Sequence, residues 1–128
     1  MHYTPHDLAV TFFALYRQLA PDQPTIPRGT NALDHAIKKA AEALPDNEFA
    51  RAFHFADARA GLECIELRDM ESYAQSAGII TFPEPYTNAQ FEISTRAAEH
   101  LAAGATSHER AFVAKVKDYF LENAPAGI

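Results

Sequence analysis

The stretch Arg59-Ala60-Gly61-Leu62-Glu63-Cys64-Ile65-Glu66-Leu67-Arg68-Asp69-Met70-Glu71-Ser72-Tyr73-Ala74-Gln75-Ser76-Ala77-Gly78-Ile79-Ile80 decides how the chain is read. Between its two glycines, Leu67, Met70, Ala74 and Ala77 recur at helical spacing, and the β-rich pair Ile79-Ile80 follows. Glycine suits a helix end that needs left-handed backbone, so Gly61 predicts the end of one helix and Gly78 the end of the next. The spacing predicts a tight turn, a helix from residue 64 or 65 to 77, and a strand. Leu62 is expected to plug the space between two helices.

Upstream, Phe49, Ala52, Phe53 and Ala56 recur at helical spacing with Ala60 continuing the row, which predicts a helix over about 48–59. Pro45-Asp46-Asn47 ends the helix before it and caps this one. That earlier helix is expected from residue 30 or 31 to 44, with Leu33, Ile37, Ala40, Ala41 and Leu44 inward and Lys38 and Lys39 largely outward. Downstream, residues 79–82 and 90–94 are β-rich segments on either side of the turn-forming 83–89, and together they read as a two-stranded wing. Three helices with a tight turn before the third make a helix-turn-helix arrangement.

The exit from that unit, Phe91-Glu92-Ile93-Ser94-Thr95-Arg96-Ala97-Ala98-Glu99-His100-Leu101, resembles the strand, Ser/Thr and short helix of winged helix-turn-helix regulators of the MarR and PadR types. Those families commonly have glycine where Ala97 stands. The resemblance covers residues 33–101, about half of the chain. It implies a mostly α fold with a small β-hairpin, a winged helix-turn-helix core flanked by N- and C-terminal helices. On this reading residues 1–128 form a single domain, with an N-terminal helix at 4–20, the winged unit at 30–101 and a C-terminal helix at 106–123. It also implies a DNA-binding transcriptional regulator that acts as a homodimer through the helices outside the winged unit.

Those outer helices are well marked. Thr4-Pro5-His6-Asp7 opens the first with a capping pair and a proline suited to the first turn. Two apolar rows follow: Leu8, Phe12, Leu15 and Leu19, and beside them Ala9, Phe13, Tyr16 and Ala20. A face this broad either lies deep in the core or packs its outer edge on another subunit. Pro21, Pro24, Pro27 and Gly29 then read as a connector. The last helix opens with Thr106 or Ser107, closes a box with Glu109, and carries Phe112, Val113, Val116, Tyr119 and Phe120. Phe12, Phe13, Tyr16, Phe112, Val116, Tyr119 and Phe120 are the residues expected to build a homodimer.

Composition bounds the rest. With 128 residues, 48% of them hydrophobic, the chain suits one compact domain with its own core. No apolar run approaches the roughly 18 residues of a membrane span. His2, His6 and Asp7 stand where a secretory signal would carry basic residues. The single cysteine, Cys64, leaves no intrachain disulfide. A cytoplasmic protein is expected.

Charge strains the DNA reading. The formal net charge is −6, which repels nucleic acid outside any local basic face. Between Gly61 and Gly78, where bases would be read, Glu63, Glu66, Asp69 and Glu71 outnumber Arg68. The wing over 82–90 has Glu84 and no Lys or Arg. The DNA-contact candidates are Arg68, Arg59, Lys38, Lys39, Arg51, Gln75 and Arg96. The alternative is an acidic protein-interaction module (an adaptor, accessory factor or phage-type inhibitor) that does not bind DNA directly. In that module Tyr86, with Phe82, Pro83 and Pro85, supplies rigid contact area.

No catalytic motif is found. His54 and Asp57 stand at i and i+3 with Cys64 nearby, but a small buried cysteine is a commoner outcome than a nucleophile. His2 and His6 have metal-compatible spacing only across the first helix cap, and no HExxH, CxxC, GxGxxG or P-loop pattern is present. No cofactor and no metal are expected. His35 and His54, if placed at an interface, would make assembly pH-sensitive.

Overall fold

The computed structural model describes residues 3–22, 25–27, 31–59, 61–81 and 90–122. Its first helix, α1 (Pro5–Leu19), opens with the capping box expected of Thr4 and Asp7. The Asp7 N–H donates to Thr4 Oγ1 at 3.1 Å, and the Thr4 N–H donates to the Asp7 carboxylate at 3.3 Å. Both apolar rows of α1 turn inward, so that Leu8, Ala9, Phe12, Phe13, Ala14, Leu15 and Tyr16 are all buried. The helix is the axis of the molecule, packed against α3 (Leu67–Ser76), α4 (Thr95–Leu101) and α5 (Ser107–Glu122).

Thr106 and Glu109 close a second box at the start of α5, with N–H donors at 3.2 Å to Thr106 Oγ1 and 2.8 Å to the Glu109 carboxylate. The other carboxylate oxygen of this buried glutamate accepts the Tyr3 hydroxyl at 2.8 Å. Burial first, then that bond, raises the Tyr3 hydroxyl pKa above the ordinary phenol range. The two terminal helices are thus tied inside one chain.

Phe112 on α5 stacks on Phe53 with ring centroids 5.2 Å apart and meets the Phe49 ring at 5.7 Å, while Phe12 reaches Phe53 at 6.1 Å. This cluster changes the status of the expected dimer residues. Phe12, Phe13, Tyr16, Phe112, Val116 and Phe120 are each 5% exposed or less, because α1 is covered by α3, α4 and α5, and α5 by α1, α2 and the turn at 49–53. Of that group, Tyr119 alone keeps partial exposure.

The largest departure from the sequence reading lies between α2 (Ala32–Ala43) and α3. Residues 48–59 do not form a helix. A 3-10 turn at Ala50–Ala52 gives way to extended backbone at Phe53 (φ −100°, ψ 134°). Phe55–Ala58 (β2) then pairs antiparallel with Gly61–Cys64 (β3), in the register Phe55↔Cys64 and Ala58↔Gly61. Gly61 opens a strand at φ +114° and ends no helix. Leu62 faces α2 from β3 instead of separating two helices, α3 starts three residues after Cys64, and Ala77 is exposed.

Asn47 supplies part of the reason. Its Oδ1 accepts the N–H groups of Phe49 (2.9 Å) and Ala50 (3.1 Å), and its Nδ2 donates to the His108 carbonyl at 2.8 Å. The turn is thereby pinned to the start of α5. Phe49 and Phe53 enter the core as the periodicity predicts, whereas Ala56, on the same predicted row, is exposed. With a cap and a long-range bond both lost, Asn47→Ala is expected to lower stability by about 1.5 kcal/mol in urea denaturation. A change within about 0.3 kcal/mol, the scatter of ordinary surface substitutions, would show the turn to be held by its aromatics alone.

The expected tight turn before α3 is therefore replaced by a β-hairpin. The α2 helix packs chiefly on α5 and β3, and α3 packs on α1. Two strands flanking the expected wing are present as β4 (Ile80–Thr81) and β5 (Gln90–Ile93). A third, β1 (Thr25–Pro27), comes from the stretch read as a connector and pairs antiparallel with β5, giving the order β1-β5-β4. Ile26, Ile80 and Ile93 close the core on this side. The wing residues 82–89, Tyr86 among them, and His2 lie outside the described residues. Gly78 ends α3 as expected: at φ +75° it donates to the Gln75 carbonyl, and the Ile79 N–H reaches back to Ala74. No helix among the described residues is long and apolar enough to cross a membrane.

Candidate functional site

Two surfaces flank the β2–β3 hairpin, and the polar cluster at its base orients both. Asp34, buried in the first turn of α2, accepts the Cys64 N–H at 2.7 Å and docks β3 on that helix. Glu66, just before α3, accepts two bonds from His54, from the backbone N–H and from ring Nδ1, each at 2.7 Å. The Ile65 N–H donates to the His54 carbonyl at 2.8 Å. The hairpin is thus stitched to the N-terminus of α3.

Cys64 is buried, as its apolar neighbours predict, and it does not join His54 and Asp57 in one grouping. His54 pairs with Glu66, and Asp57 sits on a strand and not on a shared helix face with it. Burial, followed by the negative charge of Glu66, pushes the Cys64 thiol up from 9.0 to about 12, and the backbone bonds that favour thiolate do not offset this. Such a thiol stays protonated at neutral pH and is no nucleophile. Its contribution to stability is complete below its ordinary value of 9.0 and is lost as the pH rises toward 12. At pH 8 the folded chain is expected to react with iodoacetamide at least about tenfold more slowly than the urea-unfolded chain. Equal rates would mean an accessible, activated thiol. Among the described residues no group of three or more His, Cys, Asp or Glu side chains is arranged to hold a metal ion.

On the first surface, the outer side of α3, Arg68, Asp69, Ser72, Tyr73, Gln75 and Ser76 are exposed. Arg68, the one base on this helix, lies 3.5 Å from Glu63 of β3. Both partners reach solvent, so the pair adds little stability, but it turns the arginine toward a carboxylate. Ile65 and Tyr73 are 55% and 46% exposed and stand eight residues apart with Asp69 midway. The ring of His6 meets Tyr73 edge-on at 6.2 Å. Ile65 and Tyr73 were not among the sequence candidates. The signal was present, because both fall off the buried row Leu67, Met70 and Ala74.

The second surface is an open groove of about 680 Å³ between α2 and the hairpin, lined by Ala32, His35, Ala36, Lys38, Lys39, Glu42, Asp57 and Leu62. Lys39 Nζ also lies 5.1 Å from the centroid of the Tyr119 ring, and Lys115 Nζ lies 5.8 Å from it. The remaining DNA-contact candidates are scattered. Arg59 sits exposed in the hairpin turn, and Arg96 is exposed on α4. Arg51 is exposed beside Asp46 at 3.7 Å. Of the seven, the structure brings only Lys38 and Lys39 to one groove, and Glu42 and Asp57 line that groove with them.

No protein-family model, no curated protein and no solved structure matches this chain.

Proposed function

We propose that the chain is a non-enzymatic protein-interaction module that presents the outer face of α3 to a basic, partly apolar segment of a partner protein. The observation that carries this reading is the exposed line Ile65, Asp69, Tyr73. A large aliphatic side chain in the turn just before α3 and an aromatic one on the helix are left in solvent, with an exposed acid between them in sequence. Aromatic anchors dominate binding energy at interfaces, and the surrounding carboxylates select a basic partner and repel phosphates. The test is site-specific photo-crosslinking in the native cell from positions 65 and 73, with exposed Gln18 as the control position. A discrete adduct from 65 and 73, absent from 18 and lost in the Asp69→Lys variant, supports the reading. Adducts that are indifferent to Asp69→Lys, or equal at all three positions, sink it.

A second reading, a dimeric DNA-binding regulator, is favoured by one observation: a hairpin of β4 and β5 follows α3 and joins β1 in the order β1-β5-β4, with helices before and after. Selection from random duplex DNA at about 50 mM salt, where phosphate contacts are strong, separates the two readings. A retained sequence with a steep salt slope, weakened by Arg68→Ala, selects the regulator. No retained duplex leaves the protein-interaction module.

A further inference from the structure

The β2–β3 hairpin has a phase that decides which backbone groups of β2 point away from β3. The Ile65 N–H donates to the His54 carbonyl at 2.8 Å, so 54/65 is a bonded position of the antiparallel ladder. Bonded pairs recur every second residue, which makes Ala56↔Glu63 and Ala58↔Gly61 the bonded pairs of the register. Phe55 and Asp57 therefore direct their N–H and C=O groups away from β3. The strand packs chiefly on β3, and Ala56, Asp57 and Ala58 are all exposed. Its blunting features are its four-residue length and Asp57, while Phe55-Ala56-Asp57-Ala58 holds no lysine, no proline and no bulge.

We infer that the outer edge of β2 pairs antiparallel with β2 of a second copy, about a twofold axis at Ala56, giving a four-stranded sheet β3-β2-β2-β3. In this register Phe55 of one copy faces Asp57 of the other, and these two pairs exchange four main-chain hydrogen bonds. Ala56 meets its own copy at the axis, where two methyl groups allow close approach. The two Asp57 carboxylates lie diagonally and not opposite each other, so a second copy meets no directly opposed like charges. An interface limited to one short edge buries well under about 1,000 Å², so the association is weak and concentration-dependent.

Sedimentation equilibrium of the full chain from about 10 µM to about 1 mM, a span suited to weak contacts, tests this. The weight-average mass of the native chain is expected to rise toward the dimer. Ala56→Glu places like charges at the axis and weakens association at least about tenfold. Asp57→Pro removes only an outward N–H, a site where an edge strand tolerates proline, and should do the same while the hairpin persists. An equimolar mixture of Ala56→Glu and Ala56→Lys chains is expected to regain the dimer, because only self-pairing at residue 56 puts those charges together. Far-ultraviolet circular dichroism checks that each variant is folded, and if Asp57→Pro unfolds, the residue-56 pair carries the test alone. A native chain that stays monomeric at the highest concentration overturns the inference. So does a dimer that ignores Ala56→Glu.

Discussion

Phe112→Ala is expected to lower the stability of the fold by about 4 kcal/mol, within the range seen when large buried aromatics are truncated. The ring is fully buried, stacks on Phe53 at 5.2 Å and meets Phe49 edge-on at 5.7 Å. Its removal leaves a cavity where α5 meets the aromatic turn at 49–53, and three rings are too rigid to close it by rotating single bonds. Urea denaturation followed by circular dichroism measures the loss. Tyr119→Ala, on the same helix but only partly buried, is the control and should cost about 1 kcal/mol. If the two variants lose equal stability, α5 does not pack as described, and the burial of the expected dimer residues must be reconsidered.

Gly61→Ala is expected to cost about 3 kcal/mol. Two effects add. At φ +114° the backbone lies where a side chain is strained, and a Cβ built there comes within 2.5 Å of the Asn31 amide nitrogen at the start of α2. The Asn31 side-chain amide would have to swing aside, which adds less than the backbone strain because no backbone atom of α2 is met. Gly78→Ala is the comparison without a steric contact: φ is +75° there, nearer the left-handed helical region than at Gly61, with nothing within 4 Å of the added carbon, so about 1 kcal/mol is expected. Placing Gly61→Ala in an Asn31→Ala background should recover the steric part. A Gly61→Ala cost no larger than that of Gly78→Ala would mean that the hairpin does not press on α2.

The two glycines that opened the reading thus differ in role, and the reason bears on function. Gly78 acts locally: its partners are the carbonyls of the turn before it, and helix periodicity locates it. Gly61 acts through a contact with a different helix, and no local pattern distinguishes a helix-ending glycine from one that opens a strand. The alternation of larger and smaller residues from Phe55 to Ala58 fits a strand, while Phe49, Ala52, Phe53 and Ala56 fit a helix. The choice falls to the strand because Asp34 reaches Cys64 and Asn47 reaches His108, separations of 30 and 61 residues. The consequence is an edge strand and an exposed α3 face where a compact helix-turn-helix was expected.

The sequence by itself determined the elements whose signals are local. These are the capping boxes of α1 and α5, the inward rows of α1, α2 and α5, the Gly78 stop, strands at 80–81 and 90–93, and the helix that follows Ser94. In each, the sequence signal itself lies within about one helical turn or one strand repeat, so spacing alone carries the information. Only the tertiary structure decided that β1 joins the sheet and that residues 55–64 form a hairpin. It also decided that the broad stripes of α1 and α5 are covered inside one chain, α1 by α3, α4 and α5 and α5 by α1 and α2. Those outcomes depend on which distant surfaces meet, and a buried carboxylate accepting one backbone N–H thirty residues away leaves no periodic mark in the chain.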